Sequence, residues 1–183
     1  MKNLIIFLFV VAATSVNQAQ EVNQLEAVNL GFAPHNTQII KTPDGFKLYI
    51  DKVSSREFTK DPIGFMYENL DIKNFIEALQ DENYYNYVVS LRANSGSMTA
   101  TFDKIGNLVS TRQNFKNVLL PYHMRQSLFK NHKGWTMTKN KYLARTKGEV
   151  ITNQVYRITL QNGKRKQKVK IEVNNKDTSI ASN

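Results

Sequence analysis

The apolar and polar positions of the chain first show a short apolar segment near the beginning. An unbroken apolar run spans residues 4–13 just after Lys2, and small and polar residues then lead to Ala19 and Gln20. This order is typical of a secretory signal peptide, here over residues 1–19. The run is shorter than the roughly 20 apolar residues that span a bilayer. We therefore expect cleavage near Ala19-Gln20 and an exported protein, periplasmic or secreted, without an integral membrane anchor.

The next segment is polar and then changes to a strand pattern. Residues 20–36 are only weakly periodic and predict a flexible lead-in. Residues 37–41 and 46–51 read as two strands around a turn at 42–45, where Pro43 presets the turn dihedral and Gly45 tolerates a positive φ. Alternate apolar residues of the second strand share one face, which predicts a half-buried hairpin.

A helix pattern followed by strands comes next. Apolar residues between 71 and 79 recur at the spacing that places them on one helical stripe, and Asp71 can cap the helix: Ile72, Phe75, Ile76 and Leu79. Alternating residues then predict antiparallel strands at about 85–91, 98–102 and 108–112. The short polar stretches between them read as turns.

The same order of elements recurs about 50 residues later. Pro121 is suited to the first turn of a helix, and Leu120, Met124 and Leu128 lie on one helical face. Strand patterns follow at 135–143, 155–160 and 165–173. An Asn162-Gly163 pair between the last two predicts a type I′ hairpin turn.

These patterns predict an α+β fold with an antiparallel β-sheet and short helices on one face. We expect a single domain over 37–173, with two tandem units at about 71–115 and 118–173 after the N-terminal hairpin, and a polar tail over 174–183. The expected core residues are Phe75, Leu79, Tyr87, Phe102, Leu128, Tyr156, Ile158 and Val169.

Composition limits how such a domain is stabilised and where its charge lies. The 183-residue chain has no Cys, which excludes disulfides and lipid attachment at a cysteine. Residues 20–114 carry 9 Lys and Arg against 12 Asp and Glu, whereas residues 115–183 carry 15 against 3. The formal charge of +10 therefore belongs to the second half, which favours anionic partners.

Motifs for catalysis and metal binding are absent from the sequence. The three histidines, His35, His123 and His132, lack the spacing of a zinc site. No nucleophile elbow, phosphate loop or dinucleotide fingerprint occurs. The acidic pair Asp81-Glu82 follows the predicted helix in a polar stretch, and the sequence implies no apolar pocket around it. We predict no catalytic, metal or cofactor-binding residue and no cofactor.

The sharpest local feature is a lysine-rich strand pattern near the C-terminus. Lys164, Lys166, Lys168 and Lys170 alternate with other residues and are predicted to share one strand face. Further basic residues could extend this surface: Lys139, Lys141, Arg145 and Arg157. Two interpretations stay open, a contact surface for an anionic partner and protection of an edge strand against aggregation.

The second half resembles a known family of exported domains. Leu120-Pro121 opens a helix, and Tyr156-Arg157-Ile158-Thr159-Leu160 followed by Asn162-Gly163 leads to a closing strand. This order, and the strand-turn at 101–108, is similar to PepSY-like and beta-lactamase-inhibitor-like exported domains, over about residues 71–173. The resemblance implies tandem α/β units and binding or inhibition of other proteins, and it supplies no catalytic residues.

The functional hypothesis from the sequence is an exported, non-enzymatic binding or inhibitor-like module. Its expected partner is a protein or an anionic envelope polymer, and nucleic acid is not expected for an exported chain. The alternative is an envelope enzyme, a hydrolase or transferase, with an unrecognised active site. A pocket of convergent polar groups would favour the enzyme, and a broad exposed basic or aromatic sheet face would favour binding.

Overall fold

The computed structural model describes residues 39–42, 45–77, 79 and 84–173. Within them, eight strands form one continuous sheet in which each strand pairs with the next along the chain. The pairs are antiparallel except β2–β3, which is parallel. The strands are β1 (Ile39–Thr42), β2 (Gly45–Tyr49), β3 (Asn86–Ala93), β4 (Gly96–Asp103), β5 (Leu108–Lys116), β6 (Thr136–Lys147), β7 (Val150–Asn162) and β8 (Arg165–Glu172).

Four short helices lie in the described part of the chain: α1 (Ser55–Lys60), α2 (Pro62–Asn69), α3 (Ile72–Glu77) and α4 (Tyr122–Asn131). The first three form the connection between β2 and β3, because parallel neighbours cannot be joined by a tight turn. Asp61 caps α2 by accepting a hydrogen bond from the Gly64 N–H at 3.0 Å. Asp71 accepts from the Asn74 N–H at 3.1 Å and so caps α3.

Both groups of helices pack on the same face of the sheet. Phe115, Tyr142, Tyr156 and Ile171 are direct neighbours across β5 to β8 and therefore share that face. Phe115 belongs to the core under α1–α3, and Tyr156 belongs to the core under α4. Tyr142 packs against both cores, so they meet on one surface of the sheet. The opposite surface, which we call the open face, has no helix of the described chain on it.

The predicted α+β fold class is wrong. The described chain is mostly sheet: 67 of its residues lie in strands and 30 in helices. One of its strand pairs is parallel, and β5 pairs with β6 across the limit proposed between the tandem units. The second half therefore continues the first sheet, because β5 pairs with the side of β6 that β7 leaves free.

Several individual elements also differ from their predictions. Helices α1 and α2 were not predicted, since their apolar residues are few and their pattern is interrupted at Pro62. The hairpin predicted between the last two strands is confirmed, but its turn residues are Gly163 and Lys164, because Asn162 pairs with Arg165. Of these two turn residues only Gly163 has a positive φ, of 55°, so the predicted type I′ turn is wrong. The predicted signal peptide, lead-in and tail lie outside the described residues.

The predicted core is confirmed with one exception. Phe75, Leu79, Tyr87, Phe102, Leu128, Tyr156 and Ile158 are buried, and Val169 is half-buried beside the core under α4. Val169 lies on β8, the last strand of the sheet, which has a neighbour on only one side. An edge strand receives less cover, so its inward residues keep part of their exposure.

Candidate anion-binding cleft

Most side chains on the open face are polar. Successive side chains of a strand point to opposite faces, so the residues between the inward ones reach the open face. Apolar side chains also occur there, since Leu143 is paired with the buried Val155 on this face. One line of direct neighbours across β2 to β7 shows its character: Lys47, Ser90, Thr99, Arg112, Arg145 and Asn153. A sheet whose second face lies against a core would bury apolar residues at these positions. No helix or second sheet of the described chain covers the open face, so within that part of the chain a ligand can reach it.

Four cations from four different strands form a line on this face. Lys116 of β5 is paired with Lys141 of β6, Lys141 with Arg157 of β7, and Arg157 with Lys170 of β8. Neighbouring strands lie about 4.7–4.9 Å apart, so the backbone positions of these residues follow one another at that spacing. We call Lys116, Lys141, Arg157 and Lys170 the cationic row.

The cationic row lies in a concave part of the open face. An open cleft of about 810 Å³ has twelve lining residues, of which six are Lys or Arg. Beside the row, a second line of neighbours adds Lys139, Thr159 and Lys168. None of the lining residues is acidic, so the positive charge within the cleft is not offset by its own walls. Such a surface attracts anions.

The cations of the cleft are exposed to solvent, and one of them has an acidic partner. Lys170 forms an ion pair with Glu172 on the same strand. The hydrogen bond and the charge of Lys170 lower the pKa of the Glu172 carboxyl. Among the residues that the structure describes, the other five cations of the cleft form no ion pair. All five are exposed to solvent, so an incoming anion could contact them.

A bulge and a buried asparagine shape one end of the cleft. The register of β6 against β7 shifts between Met137 and Lys139, which leaves Thr138 as an extra residue and bends the strand. The buried Asn140 side chain accepts a hydrogen bond from the Val118 N–H at 2.9 Å and donates one to the Val118 carbonyl at 2.8 Å. Asn117, beside it, has a φ of 55°. Asn140 thus holds the chain where it leaves β5 and turns towards α4.

Replacement of Asn140 by Leu is expected to lower the free energy of unfolding by about 1–3 kcal/mol, because both Val118 backbone groups would lose their partner. Denaturant titration measures this loss. Asn153→Leu is the control, since Asn153 is exposed on the neighbouring strand and should change stability by less than about 0.5 kcal/mol. Equal losses in the two variants would contradict the structural role of Asn140.

The structure brings together most, but not all, of the basic residues that the sequence singled out. Lys139, Lys141, Arg157, Lys168 and Lys170 line the cleft. The other three lie elsewhere, and none lines it. Lys164 is in the turn between β7 and β8, Lys166 is farther along β8 opposite Gln161, and Arg145 pairs with Arg112 on β5.

One cation of the row was missed by sequence reasoning. Lys116 is the last residue of β5, whereas the predicted strand ended at Arg112. The alternation of Thr111, Gln113 and Phe115 as buried positions continues the strand to that point. Two of these are polar, so the apolar alternation that marks a strand is interrupted there. Continuing the period of two past them would have placed Lys116 on the open face.

The described residues contain neither a cluster of metal ligands nor a helix that could span a membrane. No three His, Cys, Asp or Glu side chains come together there as metal ligands would. His123 is exposed, and His132 Nδ1 lies 2.9 Å from the Leu128 carbonyl oxygen at the end of α4. His35 is outside the described residues. No helix of the described chain has the length and apolar character needed to cross a membrane.

Comparison of the chain with protein-family models, with curated proteins and with solved structures found no match. The resemblance to PepSY-like and beta-lactamase-inhibitor-like domains therefore stays a prediction.

Proposed function

We propose that this protein is an exported, non-enzymatic binding module whose open sheet face holds an anionic partner in the cleft around the cationic row. The observation that carries the proposal is the register of β5 to β8, which places Lys116, Lys141, Arg157 and Lys170 side by side. These residues are distant in sequence, and the sheet alone makes them one surface.

The strength of such a site comes from the number of cations. A single exposed ion pair contributes only about 0.2–1 kcal/mol, because water screens the charges. Six cations in one cleft can contact several anionic groups of the same ligand at once. Binding to a polyanion should therefore be measurable at low salt and should weaken as salt rises, since the screening length falls to about 8 Å at physiological ionic strength.

The composition of the cleft favours binding over the alternative of an envelope enzyme. Its lining residues contain no carboxylate, His or Cys. These are the side chains that most often serve as general acids, bases or nucleophiles. The remaining polar groups, such as Thr138, Thr159 and Asn117, suit hydrogen bonding to a ligand.

Two further considerations support a binding role outside the cell. The apolar segment at residues 4–13 has the pattern of a secretory signal peptide, which would bring the protein into contact with envelope polymers. The resemblance of residues 71–173 to PepSY-like and beta-lactamase-inhibitor-like domains implies action by binding. Both rest on the sequence and belong to the proposal.

The test compares two variants that lose the same charge. The cleft variant carries Lys116→Gln, Lys141→Gln and Arg157→Gln. The control variant carries Lys164→Gln, Arg165→Gln and Lys166→Gln, none of which lines the cleft. Affinity for dextran sulfate is measured by titration at low salt, and thermal unfolding is followed in parallel. We expect a loss of about 10-fold or more in the cleft variant, from three surface pairs, and a small loss in the control.

Two outcomes would contradict the proposal. Equal losses in the two variants would mean that dextran sulfate responds to net charge and that the cleft is not the site. Unchanged affinity in the cleft variant would exclude the cationic row from binding. Increased aggregation of the control variant would show in addition that lysines of β8 protect the sheet edge.

A further inference from the structure

The direction of the cationic row across the strands indicates which kind of anion fits the cleft. We propose that the cleft binds a linear acidic polysaccharide whose chain lies across the strands, with successive carboxylates facing successive cations of the row. This inference rests on the proposed function, because it assigns the kind of anion to the same cleft.

The first argument is the repeat. The four cations stand on four adjacent strands, so their backbone positions repeat at the strand spacing of about 4.7–4.9 Å. A polyuronate carries one carboxylate on each sugar ring, and the length of one sugar along an extended chain is comparable with that spacing. Each sugar can therefore present its carboxylate to one strand. A small multivalent anion such as phosphate could contact only part of the row.

The second argument separates a polysaccharide from a nucleic acid. Proteins that bind single-stranded nucleic acid combine a basic groove with aromatic side chains on which the bases stack. The lining of this cleft contains no Phe, Tyr or Trp. It offers instead the hydroxyl of Thr159 and the amide of Asn117, which can exchange hydrogen bonds with sugar hydroxyls. The polar groups of the cleft thus match a chain of hydroxylated, charged rings.

The third argument is the openness of the row at its β8 end. The cationic row ends at Lys170 on β8, which is the last strand of the sheet. At the other end, the Lys116 N–H donates a hydrogen bond to the Ser95 carbonyl at 2.7 Å, so the turn between β3 and β4 lies next to the row. A polymer longer than the row can therefore continue beyond it on the β8 side without meeting another strand of the described chain. A cleft closed at its ends would select a short ligand.

The experiment measures affinity for oligogalacturonates of increasing length by titration at low salt. With the wild-type protein, affinity should rise by about two- to five-fold for each added sugar, the effect of one surface ion pair. It should stop rising steeply at four sugars, since the row has four cations. In Lys116→Gln, which removes the terminal cation, the rise should end at three sugars. The control Lys164→Gln should keep the limit at four.

Each result has a distinct meaning. If galacturonate monomer binds as tightly as the tetramer while dextran sulfate binding still depends on the cleft, the linear polysaccharide is wrong and the proposed function stands. If single-stranded DNA of equal charge binds as tightly as the oligogalacturonate, the choice of polysaccharide is overturned. If no anion binds in a cleft-dependent manner, both proposals fail. A limit of four sugars for the wild-type protein together with a limit of three for Lys116→Gln would support the inference.

Discussion

Replacement of Phe58 by Ala is expected to lower the free energy of unfolding by about 3–5 kcal/mol. Phe58 is the buried residue of α1 and is fully covered. Its ring centroid lies 5.2 Å from that of Phe115 on β5 and 5.4 Å from that of Phe65 on α2. Loss of the ring would leave a cavity between the helices and the sheet, and it would remove two aromatic contacts.

The single tryptophan provides a second measurement for this prediction. Trp135 packs against the core under α4, away from α1, so its fluorescence reports on the second half of the chain. If the sheet unfolds as one unit, Phe58→Ala should lower the denaturation midpoint seen at Trp135 as much as the midpoint seen by circular dichroism. Val53→Ala is the control, because Val53 is 91% exposed. A loss below about 1 kcal/mol in Phe58→Ala would contradict the packing of α1.

Replacement of Ile158 by Ala should cost about 2–5 kcal/mol. Ile158 is 1% exposed and lies on β7 in the core under α4. Its strand pairs on both sides, with β6 and β8, so the surrounding backbone has little freedom to fill the space that the side chain leaves. Denaturant titration measures the loss.

The Ile158 variant also tests whether the two cores are coupled. Because β5 and β6 join the two cores in one sheet, Trp135 fluorescence and circular dichroism should again show a single transition with a common midpoint. Val150→Ala is the control on the same strand, since Val150 is 69% exposed. Separate transitions for Trp135 fluorescence and circular dichroism would mean that the two halves unfold independently and would contradict this coupling.

Local sequence pattern was sufficient where an element has its own periodicity. The alternation in β3 and β4 and the helical spacing in α4 depend on neighbours along the chain, and these elements were predicted close to their positions. The buried residues Tyr87, Phe102 and Ile158 followed from the same alternation. The lysines of β8 were likewise recognised as lying on one face, apart from Lys164 in the turn.

Elements that depend on distant partners were not accessible in this way. Helices α1 and α2 are short, and an isolated helix of such length is marginal in water. They are stabilised by burial of Phe58 and Phe65 against the first core. The end of β5 has polar residues at inward positions, and Thr111 is satisfied by the side chain of Thr146 at 2.9 Å. No local sequence pattern predicts that Thr111 will pair with Thr146.

The cleft illustrates the same distinction for function. The excess of basic residues in the second half, their alternation along β8 and the lack of catalytic motifs are properties of composition and period, and the sequence is enough to establish them. The cationic row is a property of register: Lys116, Lys141, Arg157 and Lys170 become neighbours because four strands pair at particular positions. The row spans residues 116 to 170, and its register depends on backbone hydrogen bonds and packing between neighbouring strands. A shift of one residue in any pair would turn a cation to the other face, so only the folded sheet brings these cations together.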